Sequence, residues 1–446
     1  MKLDLRLIIA GPTNATVLLD PGGSLPAAPV EGDADEATVV AATAYLRDVL
    51  AFEMPIIETH PRWEGVPDGE PIPTLVTTEP APAGWTPPDE FAFGPIPSAL
   101  EGVPATLVPR AEELLAELRT DAPPPALRPR WARPGWHARA SGWMVAAAAD
   151  AGRPLVGEPM PFYLRGISAL LRAETATGAV FLKAVFPPFH AEPVVTRLLA
   201  ERVPASMPVV LAIEADEGWL LVEDVAAPLV GEMPAAQRAV GLPAGARALV
   251  ELQRTVAGDL DAFESAGCPL RPLPDMAALL ETVIAPDGIA ISDGTVSPDR
   301  RDRAVTATRA AAERVADLGL PTTVVHGDFH PGNVMLVGDR AVIIDWSDAA
   351  IGNPAIDLVT WLSWSKDEPD QQRIATDAWI DAWAEAADAA AVRAALDDIL
   401  LVGAAYQVIS YDGIIAALEP ATRYTLADGA LEYLERLEAL IPRGTD

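Results

Sequence analysis

The sequence predicts an α+β protein in which a separate N-terminal α/β domain precedes a larger part with a small antiparallel sheet and a mostly helical region. Its 446 residues are more than one hydrophobic core usually serves. The stretch DAPPPALRPRWARPGW, residues 121–136, predicts a semi-rigid linker because of its prolines. Strand-like runs are frequent between residues 150 and 230, and nearly everything after residue 232 has a helical pattern apart from one segment.

Residues 1–115 predict the α/β domain. The strand-like runs LDLRLIIAG, ATVLLD and MPIIETH are interspersed with one apolar helical stretch, DEATVVAATAYLRDVLAF. Residues 61–110 are rich in proline, and only TLVTTE predicts a strand there. The helix RAEELLAELR then leads into residues 116–150, which we interpret as a proline-rich linker followed by another helix.

Residues 151–230 predict the small antiparallel sheet. ALLRAET and AVFLKAVF are joined by a short turn that contains glycine, which is typical of a hairpin. After a helix, PVVLAIEA and GWLLVEDV add two strand candidates. Residues 231–446 then form the predicted helical part.

The net charge of −32 argues against nucleic acid and anionic membrane surfaces as partners, because phosphates would be repelled. The negative charge is compatible with cationic ligands. Alternatively, the acidic surface serves only to keep the protein soluble. The start of the chain lacks a signal-peptide pattern, and its apolar stretches are interrupted before the about 18 residues that a membrane span needs. We therefore expect a cytoplasmic protein, whose single cysteine, Cys268, is typical of a small core residue.

The segment VVHGDFHPGNVMLVGDRAVIIDW, residues 324–346, interrupts the helical pattern. Its apolar runs predict two short buried strands, so the polar residues between them lie in a loop. Asp328 and Asn333 stand five residues apart, and Asp345 ends the second strand. Taken singly, such residues more often cap turns. Together they supply what phosphoryl transfer requires, namely a carboxylate for the acceptor hydroxyl and hard oxygen ligands for Mg²⁺.

This segment resembles the catalytic loop and metal-binding segment of the aminoglycoside phosphotransferase and choline kinase family. The resemblance implies a bilobal protein-kinase-like fold, with residues 151–230 as the nucleotide-binding lobe and residues 231–446 as the helical lobe. It also implies that Asp328 is the catalytic base and that Asn333 and Asp345 bind the metal ion. His326 and Asp357, the latter in GNPAIDLVTWL, would then support the loop structurally.

The same resemblance implies a nucleotide site upstream. Lys183 in AVFLKAV would neutralise the α- and β-phosphates, and Glu192 in the next helix would hold it. Glu223 would end the strand next to the adenine, and Ser168 is the hydroxyl of a phosphate loop that is poor in glycine. Alternatively, Lys183 is a surface residue and Glu192 only complements a helix dipole. ATP and Mg²⁺ are the expected cofactors, and GTP is not excluded.

The N-terminal domain vaguely resembles a degenerate Nudix domain. Aligning AATAYLRDVLAF on the Nudix helix places Ala44, Tyr45 and Val49 where an arginine and two glutamates are needed. Only Asp48 remains as a metal ligand, so we expect no hydrolase activity. A cap domain of another kind, such as some related sugar kinases carry, is the alternative.

The acceptor is expected in the helical part. Trp364, Gln407, Tyr411 and Asp412 combine aromatic faces with polar groups, which suits an amino sugar, an aminoglycoside or a related polyol. Alternatively, the aromatic residues belong to the core. The sequence thus predicts an ATP- and Mg²⁺-dependent small-molecule kinase that acts on a hydroxyl, and a kinase-fold binding or regulatory protein with little turnover is the alternative function.

Overall fold

The computed structural model describes residues 2–12, 16–31, 37–62, 66–67, 69–96, 100–120, 123–286, 288, 296–364 and 368–441. By contacts, the chain divides into two compact units. The first comprises Met1–Phe186 and Leu418–Thr422, and the second comprises Pro187–Ala417 and Arg423–Asp446. The functional domain boundaries at residues 115, 150 and 230 stay a prediction.

Nine strands and three α-helices are described in the first unit. They are β1 (Lys2–Ile8), β2 (Thr16–Leu19), β3 (Ala27–Glu31), α1 (Ala37–Leu50), β4 (Ile56–Pro61), β5 (Ile72–Thr78), β6 (Ala92–Pro95), α2 (Val108–Thr120), α3 (Trp136–Asp150), β7 (Met160–Leu164), β8 (Ser168–Thr175) and β9 (Gly178–Val185).

The first unit begins with a four-stranded sheet in the order β3-β1-β5-β4. β1 is parallel to β5 and antiparallel to β3, and β4 is antiparallel to β5. Leu3, Leu5 and Leu7 alternate along β1 and are buried, because successive side chains of a strand point to opposite faces. The strands predicted from LDLRLIIAG, ATVLLD, MPIIETH and TLVTTE are confirmed, and β3 and β6 are additional strands.

β7, β8 and β9 form an antiparallel meander in the same unit. The predicted hairpin corresponds to β8 and β9, in which Lys183 is opposite Leu170 and Ser168 is opposite Val185. Within the predicted linker, Arg130–Ala132 is a short 3₁₀ helix, and the helix predicted after it is α3.

A buried group of charged residues connects distant parts of the first unit. Arg110 of α2 donates to Glu58 of β4 (2.6 Å) and to both carboxylate oxygens of Glu419 (2.9 and 3.1 Å). Arg128 also donates to both oxygens of Glu419, at 2.7 and 2.9 Å. His60 lies 2.8 Å from Glu58. All five side chains are buried, and the guanidinium groups of Arg110 and Arg128 are paired with the carboxylates of Glu58 and Glu419.

Ten α-helices and seven strands are described in the second unit. They are α4 (Glu192–Arg202), β10 (Val210–Glu214), β11 (Trp219–Glu223), α5 (Ala235–Val256), α6 (Asp261–Ser265), β12 (Leu270–Arg271), α7 (Met276–Val283), α8 (Pro298–Ala316), β13 (Thr323–Val325), β14 (Val334–Val337), β15 (Arg340–Ile343), β16 (Ala350–Gly352), α9 (Leu358–Ser363), α10 (Pro369–Trp383), α11 (Ala389–Ala394), α12 (Leu396–Ala417) and α13 (Gly429–Leu440).

The core of the second unit is centred on α12, which packs against α7, α8, α9 and α13. Among the described residues, α12 is the one helix long and apolar enough to cross a membrane, which the sequence had not suggested. Its most apolar window is 67% buried inside the protein. This burial is typical of a core helix in a soluble protein, so length and composition are weak evidence for a span.

Short strands frame the segment that interrupts the helices. β16 pairs with β12 and with β13, and β14 pairs with β15 in a hairpin. The loop from His326 to Asn333 joins β13 to β14 and ends in a 3₁₀ turn, Pro331–Asn333. The two buried strands predicted on either side of the polar loop are confirmed, with β14 as an additional partner.

Candidate active site

Asp328 lies in the middle of the loop between β13 and β14. Its side chain is 43% exposed, so a small molecule can reach the carboxylate. The amide nitrogen Nδ2 of Asn333 donates to the carbonyl oxygen of Asp328 (3.0 Å). This contact fixes which end of the Asn333 amide faces the loop, and it leaves Oδ1 as the side chain's oxygen donor for a cation.

Asp345 is brought to Asn333 by the pairing of β14 with β15. Val334 is opposite Ile343, and the backbone nitrogen of Ile344 donates to the carbonyl oxygen of Asn333 (3.0 Å). Asp345 follows directly, with a φ of +63°. The two side chains predicted to bind the metal ion are therefore attached to the same end of one hairpin.

Asp357 is fully buried beneath the loop. Its carboxylate accepts from the backbone nitrogens of His326 (3.1 Å) and Gly327 (2.8 Å) and from Nε2 of Gln253 (2.7 Å). Burial raises the pKa of Asp357 to about 7, although the N–H donors act in the opposite direction. This is the arrangement that a loop-supporting role requires.

His326 is fully buried and is held through both ring nitrogens. Nε2 donates to the carbonyl oxygen of Ile344 (3.0 Å), and Nδ1 accepts from the backbone nitrogen of Asp328 (3.3 Å). Burial lowers the pKa of His326, which favours the neutral ring that these two contacts need. The side chain thus joins the loop to the strand end that carries Asp345.

Gly327 is held close to neighbouring backbone. Its φ is +82°, and a Cβ at this position would lie 2.1 Å from the carbonyl oxygen of Asp348. Tyr406 of α12 donates its hydroxyl to the same oxygen (2.8 Å), and Nε2 of Gln407 donates to the carbonyl oxygen of Gly327. Gln407 is buried. Its amide therefore holds the loop, and its predicted role in acceptor binding stays a prediction.

Aromatic residues flank Asp328. Trp364 is 48% exposed and stacks on His330 with ring centroids 5.0 Å apart. Nδ1 of His330 accepts from the backbone nitrogen of Gly332 (3.0 Å), and Nε2 lies 3.5 Å from a carboxylate oxygen of Asp328. The neutral ring therefore carries its proton on Nε2, on the side of Asp328.

Tyr411 of α12 lies beside Tyr433 of α13, with ring centroids 5.9 Å apart. Burial raises the pKa of Tyr411, and the charges of Tyr433 and Asp328 add to this effect. The neighbouring Asp412 is half-buried. The structure thus brings Trp364 and Tyr411 to the neighbourhood of Asp328, where the acceptor was expected.

The residues predicted to bind the nucleotide are found on the expected elements. Lys183 is half-buried on β9, and Ser168 is buried at the start of β8. Glu192 is 2% exposed at the start of α4, and its carboxylate lies 2.8 Å from the hydroxyl of Ser347. Glu223 ends β11.

Magnesium is the ion whose chemistry fits this site. Among the described residues, no group of three or more His, Cys, Asp or Glu side chains could hold a metal ion. Mg²⁺ does not need such a group, because it is usually held by one or two protein oxygens together with phosphates and water. Asn333 and Asp345 supply that type of ligand.

Several residues around the site are not predicted from the sequence, because their contacts join distant segments. Gln253 reaches Asp357 from 104 residues away, and Tyr406 reaches Asp348 from 58 residues away. Tyr433 and Ser347 are likewise additions. Only Ser347 had a usable signal, since it directly follows the Asp345-Trp346 pair.

The family model of the phosphotransferase enzyme family (APH) matches residues 169–396, just over half of the 446 residues. The chain belongs to this family. The resemblance inferred from the loop is thereby confirmed, and so are the α+β, kinase-like fold class and the prediction of an enzyme that phosphorylates small molecules. The match does not extend to residues 1–115, so their likeness to a Nudix domain stays a prediction.

Solved structures resemble this phosphotransferase at low sequence identity. A choline/ethanolamine kinase family protein from Mesorhizobium loti is 20% identical and covers 67% of this chain and 94% of its own, with a TM-score of 0.47. Macrolide 2'-phosphotransferase MphH from Brachybacterium faecium is 16% identical and covers 68% and 99%, with a TM-score of 0.42. Family membership rests on the family model and not on these structures. No curated protein matches the chain in sequence.

Proposed function

We propose that the protein transfers the γ-phosphoryl group of ATP to a hydroxyl of a small molecule in a Mg²⁺-dependent reaction. The observation that carries this proposal is the convergence of Asp328, Asn333 and Asp345 at one loop and one hairpin end. Phosphoryl transfer depends mainly on positioning and charge stabilisation, and this set provides both.

Asp328 is the proposed catalytic base. Its half-exposed carboxylate accepts the proton of the acceptor hydroxyl and directs the oxygen towards the phosphorus. The loop backbone on which it sits is held by Asp357 from below and by Gln407 from α12. The backbone that carries the Asp328 side chain is therefore held in place by hydrogen bonds.

Asn333 and Asp345 are the proposed ligands of the metal ion. Held by these two residues, Mg²⁺ would supply positive charge to offset the negative charge of the phosphates. Asn333 contributes a neutral amide oxygen and Asp345 a full charge, so Asp345 is the ligand with the stronger electrostatic attraction for the cation.

The nucleotide is proposed to be ATP, held by Lys183 at the phosphates, with Ser168 and Glu223 as further nucleotide-binding residues. Glu192 is proposed to orient Lys183 from the first turn of α4. This proposal is supported by the elements on which the four residues lie, because these are the strands and the helix predicted for nucleotide binding. A parallel assay with GTP decides between the two purine nucleotides.

The acceptor is proposed to be an amino sugar, an aminoglycoside or a related cationic polyol. A chain of net charge −32 attracts such a molecule at long range, and Trp364 and Tyr411 offer aromatic faces near Asp328. Asp412, half-buried next to Tyr411, is the proposed partner of its ammonium group.

The acceptor class is tested by comparing an amino sugar with the neutral hexose of the same configuration. Asp412→Asn is expected to raise the Michaelis constant for the amino sugar about tenfold and to leave that for ATP unchanged, and salt is expected to weaken the amino sugar alone. Equal phosphorylation of both sugars at low salt would refute the cationic acceptor and leave the kinase assignment intact.

The reaction is tested with Asp328→Asn, which keeps the size of the side chain and removes the base. Turnover, measured as ADP release over a panel of amino sugars, hexoses, aminoglycosides and macrolides, is expected to fall at least roughly a hundredfold. Calorimetry should show unchanged ATP binding. Asp317→Asn, which replaces an aspartate at the end of α8, is the matched control. Parental turnover by Asp328→Asn would contradict the mechanism.

A further inference from the structure

The hydroxyl of Ser347 lies between two carboxylates of the second unit. Its Oγ is 2.6 Å from Oδ1 of Asp345 and 2.8 Å from Oε2 of Glu192. Asp345 is two residues away along the chain, whereas Glu192 is 155 residues away on α4. The serine therefore joins the proposed metal ligand to a helix that is distant in sequence.

The chemistry of this contact is asymmetric. A serine hydroxyl carries one proton, so it donates to one carboxylate at a time, while ionised carboxylates only accept. Glu192 is 2% exposed and has further contacts besides Ser347. Asp345 is exposed, and the hydroxyl limits rotation of its side chain. The side chain of Asp345 thus lies within hydrogen-bond distance of a hydroxyl that also contacts Glu192.

The backbone at Asp345 gives this coupling a further role. A φ of +63° in a residue with a side chain is unfavourable and persists where surrounding contacts determine the conformation. A short contact from residue i+2 to residue i would by itself be an ordinary turn. The additional contact with Glu192 ties that turn to α4.

We propose that Ser347 is a positioning residue for Asp345 and sets the affinity of the site for Mg²⁺ by limiting the rotation of the Asp345 side chain. This inference rests on the proposed function, in which Asp345 is a metal ligand. Groups that orient a metal ligand typically change metal affinity or activity 10- to 100-fold when removed.

The test uses the full chain and measures ATP binding by calorimetry over a Mg²⁺ titration. Ser347→Ala is expected to raise the Mg²⁺ concentration for half-maximal tightening of ATP binding roughly 10- to 100-fold, and to leave ATP binding without Mg²⁺ unchanged. Ser347→Thr keeps the hydroxyl and is expected to restore most of the parental Mg²⁺ dependence. Ser297→Ala, which removes a serine that caps α8, is the matched control for loss of a structural hydroxyl.

A double variant separates the positioning role from a general defect. Asp345→Asn is expected to lose the Mg²⁺ dependence, and adding Ser347→Ala to it should change nothing further, because the serine acts through Asp345. If Ser347→Ala keeps the parental Mg²⁺ response, or weakens ATP binding equally with and without Mg²⁺, the positioning role is overturned while the proposed function stands. If Asp345→Asn itself keeps the Mg²⁺ response, the proposed metal site is wrong.

Discussion

At the residue scale, the loop is held by groups that are kept away from water. Burial penalises the charged form of an acid and of a base alike, so it raises the pKa of Asp357 and lowers the pKa of His326. Both residues have hydrogen-bond partners in the loop backbone or at the strand end. The side chain of Asp328, the proposed catalytic base, is more exposed than those of Asp357 and His326. The two residues that bind the loop backbone are therefore shielded from solvent, whereas the proposed base is accessible to a substrate.

The buried neutral state of His326 predicts that acid destabilises the protein. The pKa of His326 is lowered in the folded protein from its ordinary value of 6.5, so the unfolded chain takes up the proton first as the pH falls. The stabilisation is therefore present above pH 6.5 and is lost below it. The loss for one group is at most about 1.4 kcal/mol per pH unit. Because the raised pKa of Asp357 has the opposite effect on stability over this range, the loss is measured as the difference in thermal unfolding between the parent and a His326 variant from pH 7.5 to pH 5.

The comparison that isolates this group is His326→Gln, whose side chain does not titrate in this range. The variant is expected to be less stable than the parent at pH 7.5, since two hydrogen bonds of the ring are altered. The difference between parent and variant should then narrow as the pH falls below 6.5. A constant difference over the whole range would show that His326 does not titrate as its burial implies.

At the element scale, α12 determines much of the site. Tyr406 and Gln407 bind backbone carbonyl oxygens of Asp348 and Gly327, and Ser410 donates to the side chain of Asp348 (2.8 Å). Tyr411 lies one helical turn further on. It is near enough to Asp328 for the charge of that carboxylate to raise the pKa of the tyrosine. A single buried helix thus supports the loop with one set of residues and borders the proposed acceptor site with the next.

The local pattern predicted the part of the site that lies within one stretch of sequence. Asp328, Asn333 and Asp345 are separated by short, fixed intervals between two apolar strands, and hairpin pairing brings them together. The role of Gln407 in holding Gly327 could not be predicted, because it depends on the rotation of α12 relative to a loop 80 residues away. Helical spacing identifies a buried face, but it does not identify the atoms that the face meets.

Irregular composition hid two elements of the N-terminal part. β3 contains Pro29, and β6 ends in Gly94 and Pro95, so neither has the apolar alternation on which strand prediction depends. In the structure, β3 pairs with β1 and β6 pairs with β2. These partners are distant in sequence from the local pattern on which strand prediction depends. The runs that became β1, β4 and β5 were predicted, because their apolar and β-branched residues are typical of strands.

At the scale of the whole molecule, the first compact unit is completed by residues from near the other end of the chain. Leu418–Thr422 directly follow α12 in sequence, yet they belong to the unit formed by the first 186 residues. Glu419 within this segment is 1% exposed and accepts from both Arg110 and Arg128. The first unit is therefore not a contiguous piece of sequence, and a protein cut after the proline-rich linker would lack one of its buried anions.

This arrangement predicts a large loss of stability for Glu419→Gln. The substitution keeps the shape of the side chain, but it leaves two buried guanidinium groups without a shared anion. Removal of one partner of a buried ion pair typically lowers the free energy of unfolding by about 3–5 kcal/mol. Chemical denaturation followed by tryptophan fluorescence measures the change, and Trp131 and Trp136 of the first unit are buried reporters.

Glu113→Gln is the matched control for that prediction, since Glu113 also accepts from Arg110 (2.7 Å) but its side chain is 37% exposed. An exposed pair is worth about 0–1 kcal/mol, so this variant should unfold almost like the parent.

The pH dependence gives a second criterion. Burial alone would raise the pKa of Glu419, but Arg128 and Arg110 lower it below 4.5, so its stabilisation is present above pH 4.5 and is lost as the pH falls further. The gap between parent and Glu419→Gln should accordingly shrink in acid. If instead both glutamine variants unfolded alike at neutral pH, the buried anion near the end of the chain would contribute no more than a surface pair, and the first unit would owe its stability to its apolar core alone.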